Sequence, residues 1–254
     1  MAAVQTLALP HLSHAPVHVA LFQHVRNAAF LRQQLLAGNQ AFEYAFLDAT
    51  ALLSTTHVLA AVFRALNDQL NGRLRSRNVH SEIVFSLSPN NNVREARARL
   101  PPIQHGTHSP HVPSIPARVT SPELTSAQIA DSFRRFGVQD TTTALLAIKV
   151  PTDGHPLSAA QVQAHLSESV EGTAVPFTDD SLAEFSDLAR IRKTYKLDAA
   201  LPSQKGKNPP KKRKQPNGVA HLNGSATDEA PPSPSDDRKE MEVCILGIMA
   251  LKGS

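Results

Sequence analysis

Proline placement decides how much of this 254-residue chain can fold. Of its 19 prolines, six lie between Pro101 and Pro122 and seven between Pro202 and Pro234. Proline lacks a backbone N–H and fixes φ, so neither tract can run far as a helix or pair along a sheet. The remainder, roughly 190 residues, is a comfortable size for one domain with a core. Residues 198–236 are also poor in apolar side chains and rich in Lys, Pro, Ser and Asp, and cannot recover the entropy of ordering. The expected organisation is a folded unit over 1–197 with a loop insertion at 101–124, then a disordered basic, Pro-rich linker over 198–236. A C-terminal helix over 237–254 docks back on the unit.

Charge and cysteine content narrow the class further. The formal charge is +4, yet 205–214 alone holds six lysines and arginines, so the folded part is close to neutral. That argues against a whole basic face gripping nucleic acid. The single cysteine, Cys244, excludes an internal disulfide and points to a reducing compartment. A basic leader with an apolar core is absent from the N-terminus, and no apolar run approaches a membrane span. A soluble intracellular protein is expected.

Hydrophobic patterning predicts alternating strands and helices, hence an α/β fold. Strands are expected at 17–22, 42–47 and 142–150, with a short one at 173–177. Helices are expected at 25–37, ended by Gly38, and at 55–71, ended by Asn71-Gly72. In the second, Leu59, Val62, Phe63, Leu66 and Leu70 have the spacing of a buried stripe. Further helices are read at 127–136, entered by Thr125 and Gln128, at 158–167 and at 180–196. In the last of these Leu182, Phe185, Leu188, Ile191 and Tyr195 face inward. Ile83, Val84, Phe85 and Leu87 form a short β-branched and aromatic run that reads as a strand. After it, Pro89 and three asparagines make a turn, and Asn92 with Glu95 caps a new helix. The C-terminal helix starts between Asp237 and Glu240 and presents Met241, Cys244, Ile245, Ile248 and Leu251 on one stripe.

The run SEIVFSLSPNNNV closely resembles the signature of the small kinase-binding subunit of the KEOPS/EKC complex. LFQHVRNAAFLR, FEYAFLDA and IRKTYKL agree with the same family, in the family's order. The resemblance implies a single domain with a small central β-sheet flanked by helices. It further implies a non-catalytic subunit that binds and influences the complex's small atypical kinase/ATPase. Such a subunit supports N6-threonylcarbamoyladenosine formation in tRNA, with the transfer chemistry on another subunit, and is linked to telomere maintenance and transcription. The family binds its kinase through helices, which implicates Ile245, Ile248, Met249 and Leu251. Archaeal relatives are thought to hold the CCA end of tRNA. This chain departs from the family where the helix after SPNNN is split by the 101–124 insertion.

Candidate residues divide between chemistry and surface. His105, His108 and His111 recur at every third position, but structural zinc usually takes cysteines or a second ligand pair, so a polar loop is the preferred reading over a metal site. Cys244 reads as a core cysteine. The chain carries no nucleophile elbow, P-loop or dinucleotide fingerprint, and no cofactor is expected. Lys211, Lys212, Arg213 and Lys214, between prolines, read as a nuclear-import signal or as a solvated charge run; residence in nucleus and cytoplasm fits, and the resemblance adds chromosome ends, the telomeres. Arg73, Arg75 and Arg77, with Arg192, Lys193 and Lys196 on the exposed side of IRKTYKL, read as solvated surface or as a phosphate-binding patch. The alternative to the adaptor reading is a free-standing tRNA-binding module acting through these arginines. With two tyrosines and no tryptophan, base stacking is limited.

Overall fold

A computed structural model describes residues 4–12, 15–89, 122–151, 158–199 and 234–251. They form one antiparallel sheet covered by helices on both faces, the α/β class expected. Its strands are β1 (Gln5–Leu7), β2 (Val17–Gln23), β3 (Ala45–Asp48), β4 (Leu145–Lys149) and β5 (Thr173–Val175). The order is β1-β2-β4-β3, and β5 shares the β1 edge of β2: Leu7 lies opposite Val17, and Val175 opposite Leu21. All five residues of β4 are buried, and β2 is buried from Val17 to Phe22, as strands covered on both sides require.

Period-two alternation divides these strands between two cores. Val17, Val19, Leu21, Leu47, Leu146 and Ile148 point into the larger one. Ala20, Phe22, Phe46, Leu145 and Ala147 point the other way. There they meet α1 (Ala28–Leu36) and α5 (Ala159–Ser169). The larger side is built from α2 (Thr55–Leu70), α3 (Val79–Leu87), α4 (Pro122–Phe136), α6 (Asp179–Phe185), α7 (Leu188–Tyr195) and α8 (Pro234–Ala250).

Several elements differ from the sequence reading. The run Ile83–Leu87 is a helix and not a strand. Asn78 caps it by accepting the Ser81 N–H at 2.8 Å. From Val79 to Leu87 all but Ser81 are buried, so the helix shows no polar face and none of the periodicity that would betray it. The stripe of α2 is rotated: Val58, Ala61, Val62, Ala65 and Leu66 face the core, while Phe63 is 39% and Leu70 57% exposed. Residues 180–196 make two helices. Asp187 breaks them by capping α7 through the Arg190 N–H (2.9 Å) while its own N–H bonds the Thr50 carbonyl. Leu188, expected inside, is 40% exposed. The 42–47 segment opens with a 3-10 turn, Gln40–Phe42, so its strand begins only at Ala45. Helix α1 starts at Ala28 because Asn27 spends its side chain on Ser169 and Glu171 across the fold. Helix α4 already starts at Pro122, which places Thr125 inside it. Gly38 and Gly72 do stop α1 and α2, with φ of 69° and 63°. The Asn92–Glu95 cap and most of both Pro-rich tracts lie outside the described residues.

Two of the sequence runs that carry the family resemblance meet at a buried polar chain. The Leu53 N–H donates to His57 Nδ1 (3.2 Å), so the ring proton sits on Nε2 and is donated to the Tyr195 hydroxyl at 2.7 Å. Tyr195 in turn donates to the Leu87 carbonyl at the end of α3, at 2.5 Å. Burial lowers His57 from 6.5 to about 3 and pushes the Tyr195 phenol well above its usual value. His80, in the first turn of α3, accepts from the Val150 N–H at 3.1 Å and is likewise lowered to about 3, by burial and by the charge of Lys149.

Two outcomes are expected. Tyr195→Phe orphans both neighbours of the hydroxyl and costs about 2–3 kcal/mol in urea unfolding. Below the ordinary histidine pKa the unfolded chain takes up protons that native His57 and His80 refuse. Stability therefore falls as pH drops from 6.5 toward 3, by up to about 1.4 kcal/mol per pH unit for each ring. Urea midpoints at pH 7 and pH 5 read this directly.

Candidate functional site

The connector between α2 and α3 carries Arg73, Arg75 and Arg77, and it is held from below. Glu82, buried on α3, turns one carboxylate oxygen toward the connector. Its Oε2 accepts the N–H of Arg75 (3.0 Å), the N–H of Ser76 (2.7 Å) and the Ser76 hydroxyl (2.6 Å). Asn78 ties the same corner to Glu43 through its side-chain amide. The backbone is thereby set while the three arginine side chains stay exposed. Arg73 is paired with Asp68 at 3.2 Å, and Asp68 also faces Arg64 at 3.8 Å.

Arg64 extends this cluster to the C-terminal helix. Its Nη1 donates to the Met249 carbonyl at 2.6 Å, at the end of α8 where unsatisfied carbonyls favour a cation. Burial lowers its pKa; Asp68 and Glu82 oppose that shift, and Arg73 and Arg75 add to it. Three further polar clamps seat α8. Glu242 accepts from the Ser54 hydroxyl, Arg238 donates to the Leu53 carbonyl, and Asp237 faces Arg192 at 3.8 Å. The apolar contribution is small: Met241, Ile245 and Met249 are buried, with Cys244 and Ile248 half-buried beside them. The outward face keeps Val243 (70% exposed) and Leu251 (74%).

The sequence-derived candidates fall out unevenly. Ile245 and Met249 are committed to the core, which leaves Ile248 in part and Leu251 fully able to meet a partner. Leu251, placed by periodicity on the inward stripe, points out. Lys193 and Lys196 are exposed, but Arg192 is not: its side chain, 16% exposed, is drawn between Asp198 (3.4 Å) and Asp237. It braces α7 against α8 and is not displayed for phosphate. Cys244 is a free thiol, half-buried. His105, His108, His111 and the basic run Lys211–Lys214 lie outside the described residues. Glu82 and Arg64 went unread. The first sits in an apolar run, and its partners, Arg75 and Ser76, are backbone amides and a hydroxyl that no charge pattern marks; the second could have been suspected from its i,i+4 spacing to Asp68.

Comparison with known proteins gives this geometry a context. The family model described as "Kinase binding protein CGI-121" matches residues 22–106 and 124–253, its gap falling inside the Pro- and His-rich stretch. The chain is 42% identical over 251 residues to "EKC/KEOPS complex subunit cgi121" of Aspergillus terreus, covering 99% of this chain and 97% of that protein. It is 40% identical over 252 residues to the protein of the same name from Aspergillus fumigatus, with the same coverage. It is also similar to "EKC/KEOPS complex subunit CGI121" of Coccidioides immitis, 36% identical over 255 residues and the full length of both chains.

Removing the carboxylate under the arginine connector separates its role from that of the arginines. Glu82→Ala is expected to cost about 2–3 kcal/mol, as loss of charge-assisted bonds in the interior does. It also speeds hydrogen exchange at Arg75 and Ser76 relative to the strands, measurable by NMR.

Proposed function

Because the chain belongs to the CGI-121 family of kinase-binding proteins, we propose that it is a non-catalytic subunit of an EKC/KEOPS complex that binds and regulates the complex's small atypical kinase. The observation that carries this reading is its similarity, over almost the whole chain, to proteins named as subunits of that complex. The contact proposed is the outer face of α8, with Val243, Ile248 and Leu251, and the neighbouring exposed apolar residues of α2, Phe63 and Leu70. Helix α8 packs on α2, so a kinase helix laid along them meets apolar side chains that the core does not use. Through the kinase, the protein supports threonylcarbamoyladenosine formation in tRNA. A link to telomere maintenance and transcription belongs to the same reading, as does nuclear as well as cytoplasmic residence through Lys211–Lys214.

A second reading is a direct tRNA contact through Arg73, Arg75 and Arg77. It is favoured by the way Glu82 fixes their backbone while leaving the guanidinium-bearing side chains exposed. Three phosphate contacts to a single strand give a slope of about −2 in log affinity against log salt.

Titration calorimetry against the purified kinase tests the adaptor. One-to-one binding is expected, weakened at least tenfold (about 1.4 kcal/mol) by Leu251→Asp or Val243→Asp. Both side chains are exposed, so circular dichroism stays unchanged. Binding indifferent to both variants discards this face and keeps the adaptor. No binding at micromolar concentration sinks the adaptor and turns attention to tRNA, read by filter binding over a salt series.

A further inference from the structure

A cavity of about 180 Å³ opens between the end of α1 and the start of α3. It lies outside the proposed kinase face and holds room for about six waters, or one small organic molecule. Leu35, Tyr44 and Phe133 give it apolar walls, and Glu43 and Arg77 supply its charged groups. Its two asparagines are already spent. Asn39 accepts from the Ala41 N–H and donates to Gln34, and Asn78 caps α3 and donates to Glu43 Oε1.

What remains is unpaired. Arg77 and Glu43 line one cavity, yet they form no ion pair with each other among the described residues. One carboxylate oxygen of Glu43 is left over. Lys149 donates to the Glu43 carbonyl at 2.5 Å and lies over the Tyr44 ring, and the charge of the Glu43 carboxylate favours its protonated form. His80 is not available: its Nε2 accepts from the Val150 N–H, and its Nδ1, without a partner among the described residues, is sealed from the cavity.

We propose that this cavity binds a small zwitterion of the free α-amino-acid class, its carboxylate on Arg77, its ammonium on Glu43 and its side chain against Leu35 and Phe133. A simple anion would meet the Glu43 carboxylate, and a simple cation would meet the guanidinium. A molecule carrying both charges on neighbouring atoms satisfies both walls and leaves the cavity neutral.

The test uses the full chain and the twenty L-amino acids as probes, first by thermal shift and then by calorimetry. Saturable binding of at least one is expected. Its amide and its N-acetyl derivative, each lacking one charge, should bind at least tenfold more weakly. Arg77→Ala and Glu43→Gln should each cost at least tenfold, and Arg77→Ala, at an exposed side chain, should leave the ligand-free melting temperature nearly unchanged. The proposal is overturned if no amino acid binds by about 10 mM. It is equally overturned if the N-acetyl form binds as tightly as the parent, or if inorganic phosphate alone binds with the same dependence on Arg77. The kinase reading does not enter this test. An RNA contact through Arg77 would respond to Arg77→Ala without weakening under Glu43→Gln, so the readings fail separately.

Discussion

Helix α3 is buried on nearly every side, and that condition governs what surrounds it. A helix end carries N–H and C=O groups with no partner of their own, and inside a protein each must be supplied with one. At the start of α3, Asn78 satisfies the Ser81 N–H and is itself steadied by Glu43. At its end, the Leu87 carbonyl is met by the Tyr195 hydroxyl, which only a helix returning much later in the chain can deliver. Also in its first turn, Glu82 is accommodated because the connector bends back to give it two amides and a hydroxyl. The arginine connector thus has its shape because a buried carboxylate needs donors. Its three guanidinium groups are displayed as a consequence.

The same condition explains which parts of the fold were legible. Strand β4 announced itself by apolar density, β2 by the alternation of Val17, Val19 and Leu21, and α1 and α2 by their glycine stops. Helix α3 did not, because a helix with no solvent face has no amphipathic period, and nine apolar-rich residues read equally well as a strand. Helix α2 was found with its face mis-set. Periodicity weighs large side chains most, but the surface that packs closest uses Ala61 and Ala65, whose small size lets the helices approach, and it leaves Phe63 and Leu70 at the flank. The break at Ser186-Asp187 was hidden by a continuous apolar spacing. It depends on a bond from the Asp187 amide to Thr50, more than a hundred residues away.

The candidate site was legible as charge and opaque as structure. Arg73, Arg75 and Arg77 were visible because they alternate in a short connector. Arg192 looked identical to its neighbour Lys193, and two carboxylates separate a bracing residue from a displayed one: Asp198, six residues on, and Asp237, which arrives from α8. Local sequence carries no record of the second pairing.

Helix α8 brings these strands of argument together. It supplies three buried side chains, too few to fasten a helix of this length by apolar contact alone. Polar clamps at Ser54, Leu53 and Arg64 make up the difference, and each fixes the rotation of the helix as well as its position. That rotation keeps Val243 and Leu251 outward, where a purely hydrophobic helix would be free to roll them in. One helix can therefore close the core and still present an apolar face to a partner. Through Arg64, Asp68 and Arg73 its carbonyl end is joined to the arginine connector by direct contacts. The two candidate surfaces, on different elements, are therefore linked by a short run of side chains, Arg64, Asp68 and Arg73.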